Sequence, residues 1–372
     1  MSVSVPQAYA PASHSGKQNP QAVTRGRLEG LDLARFIAFA GMVIVNFGLV
    51  LAADGGAHGA AGSFISLFEG RAAATFVVLA GIGFSLMTHD GEKSDAFGPL
   101  LKRAGFLMAA GLLNMLVFPA DILHLYAVYF LLGLAFIRLP SSALTVALCL
   151  CVVFATAALF VVDYEAGWNW SDYSYADFWS AQGFLRNLMF NGFHPVLPWF
   201  GFMLFGFLLA RLPLANRRMQ VRMILLGLVT AGAAAFASNL LASAPFIKAA
   251  GLVDVVHIKP MPPGPLYVLS GLGTASVVIG LCLLVADLAG SRFRFLLAPF
   301  LATGRMTLSL YVGHILIGML VLVLLGYENS GEAGVSLVAT AVFVTLSVAF
   351  ATSWMARFPA GPLEMLMRRL TG

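Results

Sequence analysis

The stretch RLEGLDLARFIAFAGMVIVNFGLVLAADGGAHGAAGSFISLFEGR, residues 27–71, decides the fold. Behind a basic flank, Arg25 and Arg27, it runs about twenty mostly apolar residues, the length a helix needs to cross a bilayer. Three polar residues interrupt the run: Asp32, Arg35 and Asn46. At ~100° per residue they fall within roughly 60° of one another on the helix. Asp32 and Asn46 stand about 21 Å apart along the axis at ~1.5 Å per residue. One face therefore carries polar groups from near one membrane surface nearly to the other. Intramembrane polar groups are costly and face a cavity or a partner. The plainer alternative for Asp32 and Arg35 is an i,i+3 pair that anchors the helix at the headgroups. For Asn46 it is a hydrogen bond between helices. A Gly/Ala-rich loop with a lone histidine, His58, follows, and a second apolar run opens with Glu69 and Arg71 at its mouth.

The rest of the chain has the same character. Of its 372 residues 59% are hydrophobic and only 10% charged, against ~25% charged in ordinary soluble domains. The fold class is therefore all-α, a polytopic integral membrane helix bundle whose first partner is the lipid bilayer. The net charge of +5 resides in Lys and Arg clustered at helix ends. That pattern is an orientation signal, not a nucleic-acid footprint, and no nucleic-acid partner is expected. Cys149, Cys151 and Cys282 lie inside apolar runs, with no disulfide or metal spacing, so no metal is expected. Residues 1–24 are rich in Ser, Pro, Ala and Gln without an apolar core. They read as a disordered cytoplasmic tail, with 25–372 a single transmembrane domain.

Apolar run length predicts about ten transmembrane helices, near 31–53, 64–88, 100–118, 121–138, 141–162, 194–212, 219–242, 265–287, 297–325 and 335–357. The short FPAD link at Phe118–Asp121 makes the third and fourth a tight hairpin. GxxxG-like spacings in the second and sixth indicate close helix packing. With the N-terminus in the cytoplasm, nearly all basic residues fall inside, and Arg186, Lys248 and Lys259 occupy outer loops. Both termini are then cytoplasmic.

The outer side holds the His58 loop, the FPAD turn and long loops at 163–193 and 243–264. The 163–193 loop sets Trp168, Trp170, Tyr173 and Trp179 among Asp163, Glu165 and Asp177. That mixture suits sugar stacking, but an interfacial helix in the aromatic belt is the favoured reading. In the fourth span Asp121 and His124 share a face at i,i+3, so the carboxylate could orient the imidazole, or could cap the helix start. His194 with Pro195 and Pro198 suits a helix entry. In the ninth span Thr307, Tyr311 and His314 form an i, i+4, i+7 stripe, and His314 lies deep enough to want a partner. Arg305 lies lower, placed to meet a phosphate or to anchor the helix. No phosphate loop, HExxH or GxSxG signature occurs.

Short motifs then carry a resemblance. LDLARFIAFAGMVIVNFG resembles the opening of the heparan-alpha-glucosaminide N-acetyltransferases and their bacterial relatives, which have an Asp, an Arg three residues on and a late Val-Asn pair; here these match Asp32, Arg35 and Val45–Asn46. His58 stands at close to the separation of that family's catalytic histidine, and LSLYVGHILIG is similar to its late Tyr-Val-Gly-His helix through Tyr311 and His314. LFEGRAAATFVVLAGIGF, DILHLYAVYFLLGL and GPLEMLMRRLTG resemble the bacterial YeiB-like family. Departures are Phe36 where a Gly is usual, and Glu69 and Arg71 where the acetyltransferases carry an Asp. The resemblance implies a transmembrane acyltransferase-like domain over 25–372.

The expected function is acyl transfer from cytoplasmic acetyl-CoA, as donor substrate, to an amine or hydroxyl on an outer-face sugar or glycoconjugate. Expected catalytic residues are His58 as base and Asn46 and His314 as oxyanion donors. Asp32, Arg35 and Arg305 would hold the donor, and Arg71, Asp121, His124 and Tyr311 the acceptor. A multi-pass protein of a bacterial inner (cytoplasmic) membrane follows, with a homodimer as a further expectation. The rival is a transporter or flippase, since polar residues along helices also mark substrate paths. The orientation is checked by a cysteine at Gly56: Gly56→Cys labels with an impermeant thiol reagent in intact cells, and labelling only after lysis would reverse the assignment.

Overall fold

Backbone N–H and C=O groups find no water inside a bilayer, so apolar runs close their hydrogen bonds internally and become helices. The computed structural model describes residues 28–51, 59–88, 97–170 and 173–372. The 1–24 tail and His58 lie outside the described residues. The long first run is α1, Glu29–Leu51, followed by α2, Gly59–Ser66, and α3, Arg71–Thr88. Then come α4, Phe97–Met115, α5, Leu123–Phe136, and α6, Ser141–Ala158. A short antiparallel hairpin, β1 (Trp168–Asn169) and β2 (Ser174–Tyr175), leads into α7, Ala181–Arg186, which continues as a π turn over Asn187–Asn191. The chain goes on through α8, Val196–Ala210, α9, Arg217–Ser243, the short α10, Pro245–Ala249, and α11, Val253–Val256, and then α12, Pro265–Ala289. The ninth run is α13, Arg294–Gly304, α14, Thr307–Gly313, a π turn over His314–Met319, and α15, Leu320–Leu324. Last are α16, Ala333–Met355, and α17, Pro362–Thr371.

The fold is an all-α, multi-pass helix bundle. Seven helices among the described residues are long and apolar enough to cross a membrane, or eight if the pair Ala181–Asn191 and Val196–Ala210, bent by 50°, is one span. The difference from the ten expected lies in α4 and α5. The 14-residue α5 is short, and α4 carries Lys102, Arg103 and Asn114.

Helices α1, α3, α8 and α12 form the packed centre, whereas α6, α9 and α16 expose apolar side chains such as Val153, Val229 and Val338. Apolar surface of that kind suits lipid. The close packing expected of the second and sixth spans is the α3–α8 crossing. A Cβ at Gly81 would lie 2.4 Å from the Met203 carbonyl, and one at Gly206 2.3 Å from that of Val78, so only glycine permits this approach.

Hydrogen bonds sort the helix ends onto two faces. On the basic face Arg211 donates to the carbonyls of Ile137 and Leu139 and to Ser141 Oγ. Arg217 pairs with Asp287 and Arg294 with Glu29 there. The loop face gathers the end of α1, α2, the α4–α5 link, the hairpin and the segment before α12. There Asn329 and Gly331 donate to the carbonyls of Val50 and Leu51.

A second expectation changes. The ninth run is not a continuous helix but breaks at Arg305–Met306, and α17 reaches into the break. Glu364 Oε1 accepts from the backbone N–H groups of Leu308 (2.9 Å) and Ser309 (3.3 Å), and Oε2 from Ser309 Oγ. Ser309 Oγ in turn accepts from Leu363 N (2.9 Å). Each helix thus caps the other's N-terminus, satisfying donors that an α-helix start leaves open. Glu364→Ala removes the carboxylate from these donors. Its expected cost is about 1–3 kcal/mol, measured as a lowered melting temperature of the purified protein in detergent.

Candidate active site

The polar stripe on α1 folds as its spacing predicts, and its deepest member finds a partner. Asn46 Nδ2 lies 2.9 Å from Nε2 of the fully buried His314. His314 Nδ1 is bonded to the Tyr311 carbonyl within its own helix. A carbonyl can only accept, so Nδ1 carries the proton, and in the neutral ring Nε2 accepts from the Asn46 amide. The π turn begins at His314 itself, a local irregularity of the type that recurs at functional sites. Both His314 nitrogens are occupied. The expected oxyanion donor is therefore a group that fixes Asn46, which keeps its other amide N–H and its carbonyl oxygen.

Asn46 faces two spaces that share walls. The outer one, a vestibule of about 360 Å³, opens toward the loop face between Trp170, Tyr173 and Phe193 on one side and Glu69 and Lys259 on another. The inner one, a chamber of about 40 Å³, is lined deeper in the bundle by Met42, Ala72, Ala73, Ile122 and Tyr311. Val45, Asn46, Gly70, Ala120 and His194 line both and form the throat between them. Gly70 holds φ +67°, and a Cβ there would lie 2.5 Å from the Tyr267 hydroxyl, which donates to the Gly70 carbonyl at 3.1 Å. Backbone at the throat thus replaces side chain, which only glycine allows.

The vestibule's aromatic wall comes from the 163–193 loop, which carries the β1–β2 hairpin and then the short α7 with its π turn. Buried Asn191 organises it. Its Nδ2 donates to the carbonyls of Tyr164 (2.8 Å) and Ala166 (2.9 Å), and its Oδ1 accepts from the Tyr175 hydroxyl (2.8 Å). Its backbone carbonyl accepts from Trp168 Nε1 (2.7 Å). Arg186 adds bonds to the Tyr175 hydroxyl and Asp177. Burial holds the nearby Tyr164 phenol well above its ordinary range.

The other expected residues divide. Tyr311 lines the chamber, and its hydroxyl accepts from Ile122 N at 3.2 Å. Asp32 and Arg35 pair at 2.6 Å, as the i,i+3 reading has it. Asp32 and Arg305 line a basic-face cavity of about 480 Å³ that also holds Glu29 and Arg294. Arg35 is not among its walls. Phe39 and Met42, both buried, fill the level between Arg35 and Asn46, so the stripe joins two separate cavities and is not an open passage among the described residues.

Arg71 donates to the carbonyls of Ser66 (3.2 Å) and Leu67 (3.5 Å). It closes the end of α2 and lines neither space. Asp121 caps more than it orients. Its oxygens accept from Leu123 N (2.8 Å) and Asn114 Nδ2 (3.1 Å), while His124 Nδ1 stands 3.7 Å away, beyond a hydrogen bond. Both nitrogens of buried His124 lack a hydrogen-bond partner among the described residues.

Sequence reasoning missed the throat histidine. The Tyr129 hydroxyl donates to the His194 carbonyl at 2.6 Å, and the imidazole stands edge-on to the Trp199 ring at 4.5 Å. Its Nδ1 is buried with no hydrogen-bond partner among the described residues, and the residue lines both spaces. Beyond its place at a helix entry, no local signal marks His194, because what distinguishes it is contact with helices distant in sequence. Among the described residues no group of three His, Cys, Asp or Glu side chains is arranged to hold a metal.

Comparison with known families gives two matches. Residues 27–242 match the family described as heparan-alpha-glucosaminide N-acetyltransferase, catalytic. Residues 215–372 match DUF418, described as a protein family of unknown function. No curated protein matches the chain. The Asn46–His314 bond joins the part matched by the first model alone to the part matched by the second alone.

The strength of that bond is open to a double-mutant cycle. Asn46→Ala, His314→Ala and the double variant, compared by unfolding in detergent, should give a coupling of ~0.6–1.7 kcal/mol, the range of interhelical polar pairs in membranes. Additivity within about 0.3 kcal/mol would mean that the pair is not formed.

Proposed function

The chain belongs to the heparan-alpha-glucosaminide N-acetyltransferase catalytic family, and from that premise we propose that it moves an acyl group, acetyl in the first instance, from a cytoplasmic acyl-CoA to an amine or hydroxyl on a sugar or glycoconjugate at the outer face of a bacterial inner membrane. The carrying observation is the Asn46–His314 pair, set where a narrow chamber meets an aromatic-walled vestibule. The basic face is the cytoplasmic side in this reading, by the distribution of Lys and Arg. Arg35, held by Asp32, and Arg305 receive the CoA phosphates there. The thioester arm passes Phe39 and Met42 to reach the chamber, and the unbranched Met42 side chain is the adaptable part of that seal.

The acceptor lies against Trp170 and Tyr173 in the vestibule, its nucleophile at the throat. Its lone pair attacks the thioester carbonyl. The new C–N or C–O bond forms, the oxyanion rests on the free N–H of Asn46, and the C–S bond breaks to release CoA. For an amine acceptor His58 is assigned as the base that takes the ammonium proton, leaving the neutral amine to attack. Its flanking helices contribute Gly48, Leu49 and Ile65 to the vestibule wall.

A transporter is the second reading, and one observation favours it. The bend before α8 and the break at Arg305–Met306 are discontinuities of the sort that mark transport sites. One set of measurements separates the two. Acetyl-CoA raises the melting temperature of the purified protein through linkage, and Arg35→Ala weakens that shift. CoA thiol is released when an amino sugar is added. His58→Ala lowers that release by about 10²–10⁴-fold while changing stability by roughly 0.5 kcal/mol or less. No shift with millimolar acyl-CoA, together with sugar uptake into proteoliposomes, would favour the transporter.

A further inference from the structure

Acyl transfer from a thioester leaves a proton to be moved twice, and the throat offers a group for it. When the nucleophile attacks, the tetrahedral adduct carries a proton on the incoming nitrogen or oxygen. The departing sulfur leaves as a thiolate and needs a proton. One base that faces both atoms can take the first proton and supply the second. It must border the space of the acceptor and the space of the thioester.

His194 is the one titratable side chain among the described residues that lines both the vestibule and the chamber. Asn46, whose amide is oriented by His314, shares the throat with it. The ring is held, not loose. Its main chain is fixed by the Tyr129 hydroxyl, its face is set by Trp199, and a proline follows it. Nδ1 of His194 is buried and has no hydrogen-bond partner among the described residues.

We propose that His194 is a catalytic proton shuttle: its Nε2 takes the proton from the attacking nitrogen or oxygen of the adduct and delivers it to the sulfur as the C–S bond breaks. Atoms balance without a further reactant. One C–N or C–O bond forms, one C–S bond breaks, and the proton lost by the nucleophile ends on the CoA thiol. The inference rests on the acyl-transfer reading.

The test uses the full chain in nanodiscs with acetyl-CoA and glucosamine as probes, following free CoA thiol. His194→Ala should bind acetyl-CoA with an unchanged thermal shift and release thiol about 10²–10⁴-fold more slowly. Imidazole added to the buffer should restore part of the rate, which a merely structural role would not allow. Activity within about threefold of the unmodified protein would overturn the assignment, and so would a loss that imidazole does not touch. Should His194→Ala fail to fold, the unaltered protein decides. Diethyl pyrocarbonate should carbethoxylate His194, seen by peptide mass spectrometry, and saturating glucosamine should protect it; an unmodified or unprotected His194 would overturn the proposal. If the unaltered protein releases no thiol while glucosamine still protects His194, the acyl-transfer reading fails, and the shuttle that rests on it fails too, but His194 remains part of a binding site.

Discussion

A single hydrogen bond between two helices organises this molecule. Asn46 and His314 are each costly inside a bilayer, and each relieves the other. The geometry is specific because His314 gives its other nitrogen to the Tyr311 carbonyl. That bond sets which imidazole nitrogen accepts, and hence which end of the Asn46 amide turns to it. The pairing ties α1 to the broken helix of the C-terminal half. The mutual caps of Glu364 and Ser309 fix the start of that broken helix from the opposite face. The Asn46 amide is thus held by a helix whose start is itself fixed by α17.

Around that bond the bundle separates polar function by depth. Charged pairs sit at the basic end of α1, the Asn46 throat at the other, and Phe39 and Met42 fill the level between. Phe39 and Met42 are both buried there, so the polar groups at the two ends of α1 are separated by packed apolar side chains. The loop face is built differently, around one buried amide. Asn191 uses both side-chain N–H groups, its side-chain oxygen and its backbone carbonyl to hold the segment that carries Trp170 and Tyr173. A fully bonded buried amide is rigid, so the aromatic wall is preformed.

Much of this was legible in the residues. Apolar run length gave the membrane class and the helix positions, because a bilayer admits few backbone solutions. The helical period put Asp32, Arg35 and Asn46 on one face, and Asp32 and Arg35 do pair. The Tyr-Val-Gly-His motif drew attention to His314. The readings of Asp121 and His124 fared differently. Spacing put them on one face, but it could not tell that Leu123 N and Asn114 would claim the carboxylate first.

The sequence by itself determined that the chain is a membrane helix bundle and which face of α1 is polar, since periodicity and hydropathy are local and accumulate along one helix. Only the tertiary structure decided which polar groups meet. Asn46 finds His314, Glu364 finds Ser309, and His194 comes to the throat beside Asn46 through helix crossings set by close contacts such as Gly81 against Gly206. A hydrogen bond depends on a few tenths of an ångström and on direction. Those are fixed by the packing of the whole bundle and are not written in the spacing of any one segment.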